Sequence, residues 1–218
     1  MLGLALSGGG FRAAFLHLGV LAQMARLGLL RRVEVISTVS GGSTIGAFYC
    51  LRLRQLLEGK PEPIDVDYID LVRRLETDFL RVVQRNLRMR VYLNPLASLR
   101  LPASRLGQLF DRYLYGGARV RDLAGHPRLP ALVLNATTLN TGHVWRIEPS
   151  GMGESERSTP FDRDVDKNTR LLGGESDLTL GLAVAASAAF PGVYAPIELP
   201  LRYPDGFRVR LADGGIHD

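Results

Sequence analysis

The fold is decided by the stretch Ile36-Ser37-Thr38-Val39-Ser40-Gly41-Gly42-Ser43, which follows a short β-branched run and precedes an apolar segment. This pattern predicts a strand over 33–36, a sharp turn, and a helix over 43–57. Such a turn lifts a serine out of the sheet and exposes its hydroxyl for attack on a carbonyl group. Glycines are needed beside it because main-chain atoms approach closely there. We therefore predict that Ser40 is a nucleophile in a strained turn that Gly41 and Gly42 complete.

A second glycine turn lies at the start of the chain. Leu2 to Ser7 has the composition of a buried strand, and Gly8, Gly9 and Gly10 follow it directly. A glycine loop between a strand and a helix can point main-chain N–H groups at a developing negative charge. The loop also fits a dinucleotide fingerprint, but the second strand does not end in the acidic residue that would hold a ribose. It carries no lysine for a phosphate-binding loop either, so an oxyanion cradle is the favoured interpretation.

The order of the predicted elements indicates an α/β fold. The helix of the first strand–helix unit is predicted over 13–28. The two units have short loops and favour a parallel sheet with helices on both faces. We expect a three-layer α/β/α sandwich with a mainly parallel central sheet, in a single domain over 1–218. The remaining segments are predicted as irregular helix (68–115), paired strands (131–137 and 144–147), a polar lid (150–176), a small-residue helix (178–189) and a strand (207–211).

Composition excludes several classes of protein. The 218 residues are 46% hydrophobic and 22% charged, which is ordinary for a globular domain. Cys50 is the only cysteine, so an internal disulfide is excluded and the sequence offers no cysteine cluster for a metal. No apolar run approaches the ~18 residues of a membrane span, and the N-terminus lacks a signal peptide, so we expect a cytoplasmic location. Only Lys60 and Lys167 among the 27 basic residues are lysine, which we interpret as a compositional bias that says little about partners. We expect no nucleic-acid partner.

A serine hydroxyl is a weak nucleophile and needs a base. None of the four histidines stands in a strong sequence context, and His17, inside an apolar helix, is interpreted as a core residue. Asp213 ends a predicted strand, where open α/β sheets gather functional groups, and two glycines follow it. An aspartate is a weak base for serine, so the Ser40–Asp213 pair has to depend on oxyanion stabilisation. A triad that adds His217 is the alternative. The other two histidines are His126 and His143.

The region between Asp78 and Asp111 is basic, since it contains six arginines and no acidic residue. Leu80, Val83, Leu87 and Val91 fall on one helical face and arginines on another. Such a segment can lie on an anionic bilayer, or it can be a solvated helix whose apolar face packs on the domain. We expect a peripheral membrane contact through the Arg81–Arg105 region. The six residues are Arg81, Arg85, Arg88, Arg90, Arg100 and Arg105.

Taken together, the motifs resemble those of patatin-like phospholipases. Gly8-Gly9-Gly10-Phe11-Arg12, the Ser40 turn and Asp213-Gly214-Gly215 match the three signature blocks in order and spacing. The segments 135–142 and 186–194 are similar to two further blocks of the family. The resemblance implies that Ser40 is the nucleophile and Asp213 the base, and that Gly8, Gly9 and Gly10, with Arg12 adjacent, form the oxyanion hole. It implies acyl-ester hydrolysis of phospholipids or other lipids through a serine acyl-enzyme, with no metal and no other cofactor.

The sequence departs from the family pattern in two places. Thr38 stands where G-x-S-x-G has its first glycine, and Ala13 where the family often has glycine. Ser40-Gly41-Gly42-Ser43 resembles the cytosolic phospholipase A2 form, so Ser43 is a second, weaker candidate nucleophile. The chain stops five residues after Asp213, where the family domain usually continues, so it can be a segment of a longer protein. A Ser–His acyltransferase and a catalytically silent lipid- or anion-binding module are the alternative functions.

Overall fold

Two strand–helix units open the computed structural model, which describes residues 2–84, 101–154, 177–203 and 206–217. Strand β1 (Leu2–Leu6) leads into helix α1 (Gly10–Arg26), and β2 (Val33–Val39) leads into α2 (Gly41–Gly59). Both helices begin earlier than predicted, because the poor helix propensity of glycine hides a start at Gly10 or Gly41. The two glycine loops are therefore joined directly to the first turns of α1 and α2.

The other elements follow in chain order. A π-helical turn covers Asp111–Tyr115, and 3₁₀ turns cover Leu30–Arg32, Val120–Leu123 and Gly214–Ile216. The helices are α3 (Asp65–Gln84), α4 (Ala103–Phe110) and α5 (Leu180–Ser187). The strands are β3 (Leu101–Pro102), β4 (Ala131–Thr138), β5 (Val144–Glu148), β6 (Gly151–Glu154), β7 (Tyr194–Ala195), β8 (Ile197–Arg202) and β9 (Arg208–Asp213).

The central sheet contains seven strands in the described part of the chain, and it is mixed. Strands β1, β2 and β4 are parallel, as predicted for the strands that carry the glycine loop and Ser40. The pairs β4–β5, β5–β6, β4–β9 and β8–β9 are antiparallel. The predicted α/β class is confirmed, and so is the predicted pairing of the strand after residue 131 with the one after residue 144.

The core lies between one face of the sheet and the helices. Ile36, Leu132 and Leu134 are fully buried on the face against which α2 packs. Nearly the whole N-terminal half of α2 is buried, so α2 is the central helix of this layer. Helices α4 and α5 cross at Gly107 and Gly181, where a Cβ on Gly107 would lie 3.1 Å from the Gly181 carbonyl oxygen. Small residues in α5 thus allow a close approach that brings its C-terminal end to the sheet.

The region 68–115 is more regular than predicted, because 65–84 form one continuous helix. Buried side chains of α3 recur at helical spacing, and Asp65 and Asp67 in the first turn favour the positive end of the helix. The buried face includes Phe79 and Val82, whereas Leu80, expected on the apolar face, is 47% exposed. The described part of this helix packs on the domain. Residues 85–100, with four of the six arginines of the proposed membrane contact, lie outside the described residues.

The predicted lid over 150–176 needs a correction at its start. Residues Gly151–Glu154 form β6, which pairs with β5 and extends the sheet. The two glycines in this strand concealed it, since glycine is depleted in strands. Residues 155–176 lie outside the described residues.

Candidate active site

Ser40 occupies the turn between β2 and α2 in a conformation that is unfavourable for a residue with a side chain. Its φ is 52° and its ψ is −115°, and no other non-glycine residue in the described ranges has a positive φ. Strained backbone of this kind persists only where the surrounding structure fixes it. Ser40 is also the N-cap of α2, so its hydroxyl lies at the positive end of the helix dipole.

Gly41 and Gly42 are required by close main-chain packing. A Cβ on Gly41 would overlap the carbonyl oxygen of Gly10, and a Cβ on Gly42 would overlap the carbonyl oxygen of Leu6. The start of α2 is therefore pressed against the glycine loop and the end of β1. The two glycines of the predicted turn have a steric reason to be glycine.

The glycine loop lies beside Ser40. A Cβ on Gly8 would lie 3.3 Å from the Ser40 Cβ, which places the two turns in van der Waals contact. Gly9 and Gly10 have φ values of 133° and 63°, which favour glycine. Within the described residues, no side chain caps the N-terminus of α1. The first turn of a helix presents main-chain N–H groups that can bind an anion.

Asp213 reaches the same place through the register of β4. Val39 pairs with Asn135 in the parallel β2–β4 ladder, and Asp213 pairs with Ala136 in the antiparallel β9–β4 ladder. Strand β5 pairs with the opposite edge of β4, so β2 and β9 lie end to end along one edge. Ser40, the residue after Val39, therefore turns out of the sheet where Asp213 comes in.

The Asp213 carboxylate is held in place by its neighbours. Asp213 is 5% exposed, and its Oδ1 accepts a 2.9 Å hydrogen bond from the Gly215 N–H. Its main-chain N–H donates to the Ala189 carbonyl at 3.1 Å, and its carbonyl accepts from the Thr137 hydroxyl at 3.0 Å. A Cβ on Gly214 would lie 2.5 Å from the Asn135 carbonyl oxygen, so a side chain would clash there. The glycines after Asp213 thus let the strand end pack tightly and orient the carboxylate.

These groups line one cavity of about 560 Å³. Seven of the eight residues predicted for the site line this cavity, and the eighth, Gly42, packs against the end of β1. Much of the remaining lining is apolar, which suits a hydrocarbon chain better than a polar ligand. The predicted residues on the lining are Gly8, Gly9, Gly10, Arg12, Ser40, Gly41 and Asp213, and the apolar wall contains Leu106, Phe110, Phe190, Val193 and Tyr194.

All four histidines are described, and none of them lines this cavity. His17 is buried and its Nε2 lies 2.9 Å from the Ser7 carbonyl oxygen, so it anchors the end of β1, as its interpretation as a core residue predicted. His217 places its Nδ1 3.3 Å from the Gly142 carbonyl oxygen. His143 lies 3.7 Å from Glu154, and His126 accepts from the Arg128 N–H. This arrangement does not favour the triad through His217.

Local packing explains why Thr38 stands where the G-x-S-x-G pattern has its first glycine. The Thr38 hydroxyl lies 2.9 Å from that of Ser43 and donates to the Val133 carbonyl at 3.1 Å. Gly46 leaves room for the Thr38 methyl group, since a Cβ there would lie 2.5 Å from it. Ser43 is fully buried within α2 and does not line the cavity, which weakens its candidacy as the nucleophile.

Ser187 is a residue of the site that was not predicted from the sequence. This residue ends α5, is fully buried, and accepts a 3.0 Å hydrogen bond from the main-chain N–H of Ser40. The only signal in the sequence is its position in the small-residue segment 186–194, where a hydroxyl stands among alanines.

Among the helices that the structure describes, none combines the length and the apolar composition that a membrane span needs.

Comparison with solved structures gives similarities of low sequence identity. VipD from Legionella pneumophila is 17% identical with a TM-score of 0.44, over 99% of this chain and 46% of that chain. Human GIVD cytosolic phospholipase A2 is 16% identical with a TM-score of 0.49, over 85% of this chain and 28% of that one. A chain of the ExoU–SpcU complex from the type III secretion system of Pseudomonas aeruginosa is 18% identical with a TM-score of 0.42, over 89% and 37%.

The chain spans less than half the length of each of these three structures. No curated protein matches it. The family described as patatin-like phospholipase matches residues 4–218, which include the glycine loop, the Ser40 turn and Asp213. Because that match covers nearly the whole sequence, the chain belongs to the patatin-like phospholipase family.

Proposed function

We propose that this chain hydrolyses acyl esters of lipids, as a phospholipase A or lysophospholipase, through a Ser40–Asp213 dyad. The observation that carries the proposal is the pairing of Val39 and Asp213 with consecutive residues of β4, which brings both ends to one cavity. Family membership supports a lipid substrate. The apolar wall of the cavity supports an acyl chain as the group that is bound there.

In the first half-reaction the Ser40 Oγ attacks the ester carbonyl carbon and forms a C–O bond. The hydroxyl proton passes to the Asp213 carboxylate, and the carbonyl electron pair moves onto the oxygen. The N–H groups of the glycine loop and of the α1 N-terminus stabilise that oxyanion, with Arg12 adjacent. Collapse restores the carbonyl, breaks the bond to the alcohol and transfers the Asp213 proton to the leaving oxygen.

In the second half-reaction a water molecule replaces the alcohol. The water oxygen attacks the acyl carbon while Asp213 accepts a proton from the water. The bond from the acyl carbon to the Ser40 oxygen then breaks, and Asp213 returns the proton to that oxygen. The products are a free fatty acid and the regenerated serine. Because aspartate is a weak base, preorganised N–H groups have to supply much of the stabilisation, and the tight packing of Gly41 on Gly10 makes the loop rigid.

The test uses a fluorophosphonate, which labels an activated serine covalently, together with turnover of a short p-nitrophenyl ester. The wild-type chain should be labelled at Ser40, whereas Ser40→Ala should lose both labelling and turnover. Ser43→Ala is the matched control, because it removes a neighbouring hydroxyl that lies outside the cavity. Wild-type turnover by Ser40→Ala would show that the nucleophile is misassigned.

Two alternatives give different results in the same assay. A silent lipid- or anion-binding module would bind lipid without labelling at Ser40. A Ser–His acyltransferase would need one histidine, so one of His17→Gln, His126→Gln, His143→Gln and His217→Gln would abolish turnover in a folded protein.

We also propose a peripheral membrane contact through the Arg81–Arg105 region, supported by its six arginines.

A further inference from the structure

We propose that Ser187 is a positioning residue that holds the main chain of Ser40, an inference that rests on the proposed function of Ser40. The Ser187 Oγ accepts from the Ser40 N–H at 3.0 Å and donates to the Asn135 carbonyl at 2.5 Å. It also lies 2.8 Å from the Ser43 hydroxyl. Ser187 does not line the cavity, so it acts through Ser40 and not on a substrate.

The hydrogen-bonding capacity of these hydroxyls fits one arrangement. A serine hydroxyl has one proton and two acceptor sites. When Ser187 gives its proton to the Asn135 carbonyl, both acceptor sites remain, one for the Ser40 N–H and one for the Ser43 hydroxyl. Thr38, whose hydroxyl lies 2.9 Å from that of Ser43, has one proton to share between the Ser43 oxygen and the Val133 carbonyl. Thr38, Ser43 and Ser187 are all buried, so each lost partner leaves a polar group without water.

The Ser40 N–H needs this partner because regular structure does not supply one. The β2–β4 ladder has its last pair at Val39 and Asn135, and Ser40 is the N-cap that precedes α2. The first N–H groups of a helix have no intrahelical acceptor. The Ser187 hydroxyl fixes the direction of this N–H, and with it the positive φ that turns the Ser40 side chain toward the cavity.

The same segment also holds the other proposed catalytic residue. Two residues after Ser187, the Ala189 carbonyl accepts from the main-chain N–H of Asp213 at 3.1 Å. Ala188, between them, lines the cavity. The segment Ser187–Ala189 therefore binds the main chain of both Ser40 and Asp213, and its geometry sets the separation between their side chains.

The experiment compares Ser187→Ala with Ser43→Ala. Both variants remove one fully buried hydroxyl from the same network, but only Ser187→Ala removes the acceptor of the Ser40 N–H. We expect Ser187→Ala to lower kcat on the order of 10²-fold, the cost of a small misplacement of reacting groups. KM should stay close to wild type because the cavity wall is unchanged. Ser43→Ala should keep most of kcat while losing similar thermal stability.

A second variant covers the case in which Ser187→Ala does not fold. Ser187→Cys keeps a side chain at this position, but sulfur is a weak acceptor, so kcat should still fall. Equal kcat in wild type and a folded Ser187 variant would overturn the inference, and so would an equal loss of kcat in Ser43→Ala.

Amide hydrogen exchange separates this inference from the proposed function. The Ser40 amide should be protected in wild type and exchange faster in the Ser187 variants, while the Thr44 amide, which donates to the Ser40 carbonyl, should not change. This readout needs no turnover. If fluorophosphonate does not label the wild type, the proposed function fails, but protection of the Ser40 amide still supports the contact. An unchanged Ser40 amide in Ser187→Ala contradicts it.

Discussion

Val39 and Asp213 pair with consecutive residues of β4, Asn135 and Ala136, from the same edge of that strand. One strand therefore aligns the end of β2, from which Ser40 turns away, with the end of β9, which carries Asp213. Side chains of β4 add to this main-chain pairing, because the Thr137 hydroxyl donates to the Asp213 carbonyl and the Asn135 side-chain amide donates to the Thr38 carbonyl. The pairing also gives each proposed catalytic residue a rigid support, as a preorganised site requires.

Asp213→Asn tests the proposed base directly. Asparagine has nearly the same shape and keeps the main-chain bond to Ala189, but it removes the negative charge that accepts the serine proton. We expect ester turnover to fall on the order of 10²–10⁴-fold, with little change in thermal stability. Asp70→Asn, at an exposed position on α3, is the control and should keep wild-type turnover. Retained turnover in Asp213→Asn would exclude this carboxylate as the base.

Two glycine-to-alanine substitutions should have opposite effects. In Gly41→Ala the new methyl group overlaps the Gly10 carbonyl, so the turn or the oxyanion loop has to move, and unfolding free energy should fall by about 1–3 kcal/mol. Gly19 lies inside α1 with open space around it, so Gly19→Ala should stabilise the protein by about 0.5–1 kcal/mol. Urea unfolding measures both. Turnover should be lost in Gly41→Ala and kept in Gly19→Ala, and a stable, active Gly41→Ala would contradict the packing described here.

The parts of the site that the sequence predicted are those built from local patterns. The Ser40 turn, the loop 8–10 and the strand end at Asp213 each lie within a few residues, where the chemistry of glycine and the periodicity of apolar residues are visible. Element boundaries were less accurate where glycine starts a helix, at Gly10 and Gly41, or lies within a strand, at 151–154. Helix propensity ranks glycine low, so it gives no sign of a helix start at which close packing requires glycine.

The contacts that the sequence could not predict are long-range. The register of β9 on β4 and the bond from Ser40 to Ser187 join residues far apart in the chain, and one serine among alanines gives no sign of its partner.

The length of the continuous helix over 65–84 was underestimated for another reason. Its charged residues interrupt the apolar pattern, although the buried positions from Tyr68 to Val82 keep helical spacing.

We expect the Arg81–Arg105 region to give the protein salt-dependent binding to anionic vesicles. Each arginine near an anionic surface contributes about 1 kcal/mol, so Arg85→Ala/Arg88→Ala should weaken co-sedimentation more than tenfold at low salt. The control is Arg73→Ala/Arg208→Ala, which removes the same charge from exposed positions elsewhere. Salt should weaken binding of the wild type, because exposed charges are screened. Binding that is indifferent to lipid charge and to salt would reject a docking role for this region.

Because Cys50 is buried, we expect the free energy of unfolding to fall at alkaline pH. Burial in α2 raises the pKa of its thiol from 9.0 to about 12, so the folded state keeps the thiol protonated while the unfolded state ionises. The stabilising effect is therefore complete below pH 9 and declines as the pH rises from 9 toward 12. Between pH 8 and pH 10 the wild type should lose about 1 kcal/mol more unfolding free energy than Cys50→Ala.

Urea unfolding at the two pH values measures this difference. Burial, the largest cause of the raised pKa of Tyr49, is common to both proteins, whereas the smaller contribution of Cys50 to that pKa is lost in the variant. Thiol reactivity gives an independent check. Iodoacetamide at pH 8 should leave the native protein unmodified and label one thiol after unfolding, because Cys50 is the only cysteine and is fully buried. Fast labelling of the native protein would mean that the N-terminal half of α2 opens to solvent, and the rigid support proposed for Ser40 would then be wrong.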